Sequence, residues 1–308
     1  MLGVRRFLNL KGVFFIVGPT ATGKSEIAAD VARELDAEIV SADAFQIYCG
    51  LDLLTAKPDA ATLKKVPHYL IGTMSILEEM NAAKFRKLAL QAISEIHSRG
   101  KMAIVVGGSG LYIKALTHGL SVAPAADPDL RSRLNEFSLA DLEKKLRSLD
   151  PNAAVDFKNR RRVVRAIEIC LLIGKPASTQ RTWKNEIPQG VFVFRERDDL
   201  YQRINQRVES MFENGVIEEV RAAGAMSDTA SKMIGLREIR ELLDGKMSIL
   251  QGVAAIQQAT RRYAKRQLTW FRRQTNFESL NLSEVNHVEA VERISQLAKT
   301  LGVAAGND

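Results

Sequence analysis

The run "VFFIVGPTATGKSEIA", residues 13–28, constrains the fold more than any other stretch of this chain. Five apolar residues lead into G-x-x-x-x-G-K-[ST], and a helix-forming segment follows. Strand, glycine-lined loop and helix in that order build a phosphate cradle on a parallel sheet. Gly18 and Gly23 let the backbone curl so that its N–H groups face an anion, and the next helix's N-terminus adds positive potential. Lys24 supplies a point charge, and Ser25 a hydroxyl suited to Mg²⁺ as cofactor. The loop Gly18, Pro19, Thr20, Ala21, Thr22, Gly23, Lys24 and Ser25 is therefore the expected phosphate- or diphosphate-binding set. Loops of this kind usually serve nucleotide-binding and ATP-binding proteins.

The pattern around the loop predicts an α/β fold. Residues 13–17, 37–40, 67–72 and 102–106 read as strands, and 25–35 and 81–99 as helices, with another helix from Gly110. In the second helix Phe85, Leu88, Ala92, Ile93 and Ile96 share one side. Strands alternating with helices imply a parallel sheet with right-handed crossovers. At "SVAPAADPD" (121–129) the composition changes, and residues 129–174 read as helices only. "VFVFR" (191–195) reads as a return to the sheet, and the remainder as mostly helical, including a long run over 248–273. The expected architecture is a P-loop parallel-sheet core with flanking helices over 12–120 and 190–308, interrupted by a small all-helical insertion over 121–189.

Charge narrows the partners. The net charge of +8 is concentrated in "KNRRRVVR" (158–165) and "RRYAKRQLTWFRR" (261–273), which suits a polyanion. Lys158, Arg161 and Arg165 share one helix face, with Val164, Ile167 and Leu171 on another; a solvated face explains that spacing equally well. No apolar run is long enough to span a bilayer. The N-terminal apolar stretch is broken by Lys11 and Gly12, so no signal peptide is read and the chain is expected to be cytoplasmic. Cys49 and Cys170 lack the spacing of a disulfide framework or a zinc site, and His68, His97, His118 and His287 show no ligand spacing.

The loop alone does not say what happens to the phosphates. An ATPase usually has an apolar strand ending in a metal-assisting Asp. Here "MAIVV" ends in Gly-Gly-Ser, whereas "EIVSAD" ends in Asp43. A P-loop kinase of a small metabolite could use Asp43 to hold its acceptor, and a non-catalytic nucleic-acid-binding protein is a third reading.

"GPTATGKS", "SADAFQIYCGLDLLTAKP" (41–58), "VPHYLI" (66–71), "VVGGSGLYIKAL" (105–116), "NRRRVVRAIEI" (159–169) and "TRRYAKRQLTWFR" (260–272) occur in the order and spacing of tRNA dimethylallyltransferases, also called tRNA isopentenyltransferases. The resemblance runs over residues 13–280. It implies transfer of a prenyl group from dimethylallyl diphosphate to N6 of the adenosine immediately 3′ of the anticodon, with the anticodon stem-loop of tRNA as partner. It implies that the loop holds a diphosphate leaving group, with Lys24 and Ser25 beside it and Asp43 orienting the amine. Arg237 matches a family cation near the diphosphate. Asp43, Ala44, Phe45 and Gln46, Ser109, Arg131, and the segment Arg161, Arg162, Val163, Val164 and Arg165 match family contacts to tRNA. Ser109 could instead cap the helix that follows it, and Arg237 could instead pair with Glu241.

The sequence departs from the family at Ala44 (commonly Ser), Leu54 (a glycine) and Leu236 (often Tyr), and its insertion is shorter. These departures bear on tRNA selectivity more than on chemistry. The nearest rival is an enzyme that prenylates free adenine nucleotides, but a mononucleotide needs neither the insertion nor the basic helices. No membrane partner is expected, and the protein is expected to be a monomer.

Overall fold

The structure is a computed structural model and describes residues 10, 12–120, 124, 126–180, 188–274 and 276–303. The chain divides into two units, Met1–Thr117 with Glu186–Asp308, and His118–Asn185.

In the first unit β1 (Val13–Val17) runs through the loop into α1 (Lys24–Glu34), then β2 (Glu38–Ser41), α2 (Ala60–Lys65), β3 (His68–Tyr69), α3 (Ala82–Ser98), β4 (Ala103–Gly107) and α4 (Gly110–Thr117). The second unit contains α5 (Pro128–Asn135), α6 (Leu139–Leu149) and α7 (Arg160–Ile173). The first unit resumes with β5 (Gln189–Phe194), α8 (Arg197–Glu213), α9 (Val216–Ala222), α10 (Leu236–Leu243), α11 (Ile249–Gln274), β6 (Glu278–Asn281) and α12 (His287–Val303).

The strands form one parallel sheet in the order β3-β2-β4-β1-β5-β6. Both faces are covered, so the central strands are apolar without alternation. Val13, Phe15 and Val17 face one core with α3 and α4; Phe14 and Ile16 face the other with α1 and α12. Phe15, Ile16 and Val17 are fully buried, each gaining about 1.5–3 kcal/mol from leaving water. The phosphate loop therefore starts from one of the best-anchored strands in the sheet. The end of β1, where the loop begins, lies beside the ends of β4 and β5. Loops after these adjacent strand ends form the site, as expected for open parallel sheets.

Two expectations change. The third strand keeps only two residues, because Leu70 (φ 62°) and Gly72 (φ 59°) adopt left-handed backbone and turn the chain out of the sheet. The C-terminal region, read as mostly helical, contributes an edge strand, β6, beside β5. No described helix is long and apolar enough to cross a membrane.

The second unit packs on its own. Asp127, Ser138 and Asn159 each cap a helix through the side chain, and Gly174 ends α7 in left-handed backbone. Leu134, Leu142, Leu146, Val163, Ile167 and Cys170 fill its centre.

Candidate active site

The loop is drawn tight by its own side chains. Gly23 has φ 89°, a left-handed conformation a side chain would strain, and the N-terminus of α1 starts from it. The Thr22 hydroxyl donates to the Pro19 carbonyl at 3.0 Å, and Lys24 Nζ donates to the same carbonyl at 3.1 Å. Burial pulls the Lys24 ammonium down from 10.5 to about 8; Asp43 opposes the shift and Arg207 adds to it. The three groups are thus near neighbours. The Ser25 hydroxyl makes no hydrogen bond to described residues.

Three arginines that the sequence reading did not single out reach the loop. Arg195, just after β5, donates Nε to the Thr22 carbonyl at 2.8 Å. From α8, Arg203 donates Nε to the Ala21 carbonyl at 3.0 Å, and Arg207 donates Nη1 to Thr20 Oγ1 at 2.9 Å. Arg203 and Arg207 stand four apart on the helix after β5, so "RINQR" (203–207) held the signal. Arg237, expected at the diphosphate, is 78% exposed and pairs with Glu238 at 2.8 Å and Glu241 at 3.9 Å. Its place on α10 beside two glutamates explains the difference, and the ion-pair alternative describes it better.

Asp43 follows β2. Its Oδ1 accepts from the backbone N–H groups of Phe45 (2.9 Å) and Gln46 (3.2 Å), which fixes the carboxylate and leaves Oδ2 without a hydrogen bond to described residues. Asp43 shares a narrow pocket with Lys24, Ser25, Gln46 and His68. The Gln46 amide is spent on the Ala56 carbonyl at 2.8 Å, and Phe45 packs against the main core. His68 lines the pocket with its Nδ1 2.8 Å from the Val66 carbonyl, and burial holds its imidazole below the usual range.

Ser109 sits at the end of β4, where its N–H donates to the Ala42 carbonyl at 3.3 Å. This puts it next to Asp43 across the β2–β4 pair. Its backbone carbonyl, not its hydroxyl, accepts from Tyr112 and Ile113, so it is no side-chain cap. Among the described residues, Ser109 Oγ is the one buried side-chain polar atom without a well-formed hydrogen bond, although the Tyr263 phenol lies beside it. Burial, then the Asp43 charge, push the Tyr263 phenol up.

Gln267 of α11 bridges both loops: its Oε1 accepts from Thr20 N at 2.9 Å and its Nε2 donates to the Gly108 carbonyl at 2.8 Å. A Cβ on Gly108 would lie 2.2 Å from that nitrogen, so only glycine fits. Phe271 is buried in the main core. Trp270 meets it edge-on and stands over Gly110.

In the second unit the expected tRNA contacts separate. Val163 and Val164 are buried in the helical core, so their side chains cannot reach an RNA. Leu171, expected on the apolar face, is exposed, and Ala166 and Cys170 take that face instead. Arg131 and Arg165 both bind the fully buried carboxylate of Glu168, at 3.0 and 2.6 Å, and Arg165 also donates to the Pro124 carbonyl. Arg161 and Arg162 lie exposed in the first turn of α7.

The departures prove to be packing positions. Leu54 is buried beside Gly235, its N–H donates to Glu219, and the left-handed residue in its loop is Ala56 (φ 48°). Leu236 is buried in the same core. Among the described residues no cluster of His, Cys, Asp or Glu could cage a metal.

Residues 46–274 match the family described as IPP transferase. "tRNA dimethylallyltransferase 1" of Citrifermentans bemidjiense is 43% identical over 270 residues, covering 84% of this chain and 88% of that protein. The tRNA dimethylallyltransferase of Akkermansia muciniphila is 42% identical, covering 92% and 98%. The solved full-length tRNA isopentenylpyrophosphate transferase of Bacillus halodurans has a TM-score of 0.69 at 35% identity, covering 96% of this chain and 99% of that one. A eukaryotic dimethylallyltransferase acting on tRNA shares the fold, with a TM-score of 0.77 at 24% identity, covering 91% and 77%.

Proposed function

The chain belongs to the IPP transferase family of tRNA dimethylallyltransferases, and from that membership we propose how its own residues carry out the reaction. The enzyme transfers a dimethylallyl group to N6 of the adenosine 3′-adjacent to the anticodon of tRNA, giving N6-isopentenyladenosine and diphosphate. The carrying observation is the pairing of an intact phosphate loop with an oriented carboxylate, Asp43, beside Lys24.

Dimethylallyl diphosphate lies with its diphosphate in the loop. As the allylic C–O bond breaks, its electron pair stays on diphosphate, and Lys24 and the loop N–H groups hold the growing charge. Lys24 gives the Pro19 carbonyl one of its three ammonium protons and keeps two for diphosphate oxygens. The adenine amine is a weak nucleophile because its lone pair is delocalised into the ring. Asp43 Oδ2 accepts a hydrogen bond from N6, orients the lone pair toward the allylic carbon, and takes the proton as the C–N bond forms. Ser109, next to Asp43 across the β2–β4 pair, gives the extruded base a second polar contact that offsets unstacking.

The residues fit Mg²⁺. Ser25 offers a hard oxygen beside the loop, and Mg²⁺ is commonly held by one or two protein oxygens together with substrate phosphates. When bound it neutralises diphosphate charge.

Arg161 and Arg162 on the insertion are free for tRNA phosphates, with Arg131 and Arg165 held by Glu168 behind them. A monomer suffices, since Lys24 and Asp43 come from one chain. A cytoplasmic location fits a tRNA substrate. A metabolite kinase leaves the basic insertion unexplained.

The test offers unmodified tRNA, AMP and ATP together with Mg²⁺ and labelled dimethylallyl diphosphate. Label on tRNA adenosine is expected; label on AMP or ATP alone would refute the tRNA reading.

A further inference from the structure

Every other aromatic side chain among the described residues is buried or half-buried, whereas Phe137 is 46% exposed. It stands in the short turn between α5 and α6 of the second unit. It lies outside the cluster of Leu134, Leu142, Leu146, Val163, Ile167 and Cys170 that fills the centre of that unit. The turn is nevertheless firmly held. Arg160, the first residue of α7, donates Nη2 to the Asn135 carbonyl at 2.7 Å and to the Phe137 carbonyl at 2.6 Å. These bonds fasten Phe137 to the start of α7, and Ser138, the next residue, caps α6. The start of α7 carries the exposed Arg161 and Arg162 and has no acid in its first turn. The Lys145 ammonium lies 5.5 Å from the centre of the Phe137 ring. A single exposed apolar side chain is ordinary; this one is an aromatic ring, braced through its backbone and set among cations.

We propose that Phe137 is a stacking platform for an unpaired base of the tRNA anticodon loop, with Arg161, Arg162 and Lys145 holding the phosphates on either side of that base. This rests on the tRNA reading above and gives it a contact that phosphate pairing alone does not supply. A base in a loop can offer its face to an aromatic side chain, whereas bases in the paired stem already stack on one another. Stacking is tolerant of base identity, because every base has a π-face. It also differs from the arginine contacts in one measurable respect. Phosphate contacts weaken as salt rises, because they release counterions; a neutral ring releases none. Phe137 should therefore add affinity without adding salt dependence.

The test measures binding of an anticodon stem-loop to the full chain and to its Phe137→Ala, Phe137→Leu and Phe137→Tyr variants over a salt series, beside prenyl transfer by the wild type. Phe137→Ala is expected to weaken binding about 5- to 100-fold, with the log–log salt slope, the donor KM and the melting temperature unchanged. Phe137→Tyr should restore most of the loss and Phe137→Leu little, since leucine is apolar without a ring face. Stem-loops that carry an abasic sugar at each loop position in turn identify the occupant: at one position the Phe137→Ala loss should disappear. Wild-type binding by Phe137→Ala or Phe137→Leu would overturn the proposal. So would a slope reduced by about 1, since the ring would then act only by placing a cation, or a loss that no abasic position diminishes. If the wild type binds the stem-loop but transfers no prenyl group, the functional reading falls and the stacking result stands; a wild type that binds no stem-loop overturns both.

Discussion

Asp43 has one carboxylate oxygen tied to its own turn and the other without a hydrogen bond to described residues. That division gives the first prediction. Asp43→Asn keeps the shape but loses the base, so kcat should fall about 10²- to 10⁴-fold while donor KM changes little; a rise in KM at unchanged kcat would remove Asp43 from the chemistry. Lys24 gives a pH prediction. Buried beside Arg207, and supported by Asp43, it is charged in the free enzyme below about 8 and loses its proton as pH rises through that value. Diphosphate binds the charged form, so donor kcat/KM should fall above about pH 8, by up to tenfold per unit. Bound diphosphate restores the ammonium, so kcat should stay level to higher pH. A donor kcat/KM flat to about pH 10 would contradict this. At this scale the loop and Asp43 were legible because each signal lies within a few residues of sequence. Arg207 was missed although "RINQR" sets it one helical turn from Arg203, because its partner Thr20 lies 187 positions away. Arg237 misled because its motif position is familiar while its actual partners, Glu238 and Glu241, are its own helix neighbours.

Among the elements, α11 and α7 do more than bury apolar faces. Gln267 makes α11 the brace between the phosphate loop and the Gly108–Ser109 turn. Gln267→Leu keeps the volume but leaves Thr20 N and the Gly108 carbonyl without those bonds, which should cost about 1–3 kcal/mol of stability and lower kcat; an unchanged melting temperature and rate would show the bridge to be incidental. On α7, Glu168 holds two arginines from beneath. Glu168→Gln should weaken tRNA binding several-fold with donor KM unchanged, which a filter-binding series can check. The helices of the insertion were readable from the composition change at 121–129 and from the helix faces over 158–171. β6 was not: "ESLN" is short, polar at its start and buried at one residue, so only pairing with β5 makes it a strand. β3 was overread because Leu70 takes a backbone conformation that its residue type disfavours.

At the scale of the molecule, the excess of eight positive charges and the exposed Arg161 and Arg162 predict a salt-sensitive partner. The tRNA affinity should fall steeply with ionic strength, and replacing both arginines with Ala should lower the log–log slope by about 1.5 to 2. An unchanged slope would move the phosphate contacts elsewhere. The parallel topology was legible from alternation alone, because doubly covered strands are apolar throughout. The most direct measurement follows both products at once: doubly labelled dimethylallyl diphosphate is incubated with the enzyme, Mg²⁺, unmodified tRNA and γ-labelled ATP. One diphosphate released for each dimethylallyl group on tRNA adenosine, with ATP intact, is the predicted result; release of the γ-phosphate with the allylic donor untouched would contradict it.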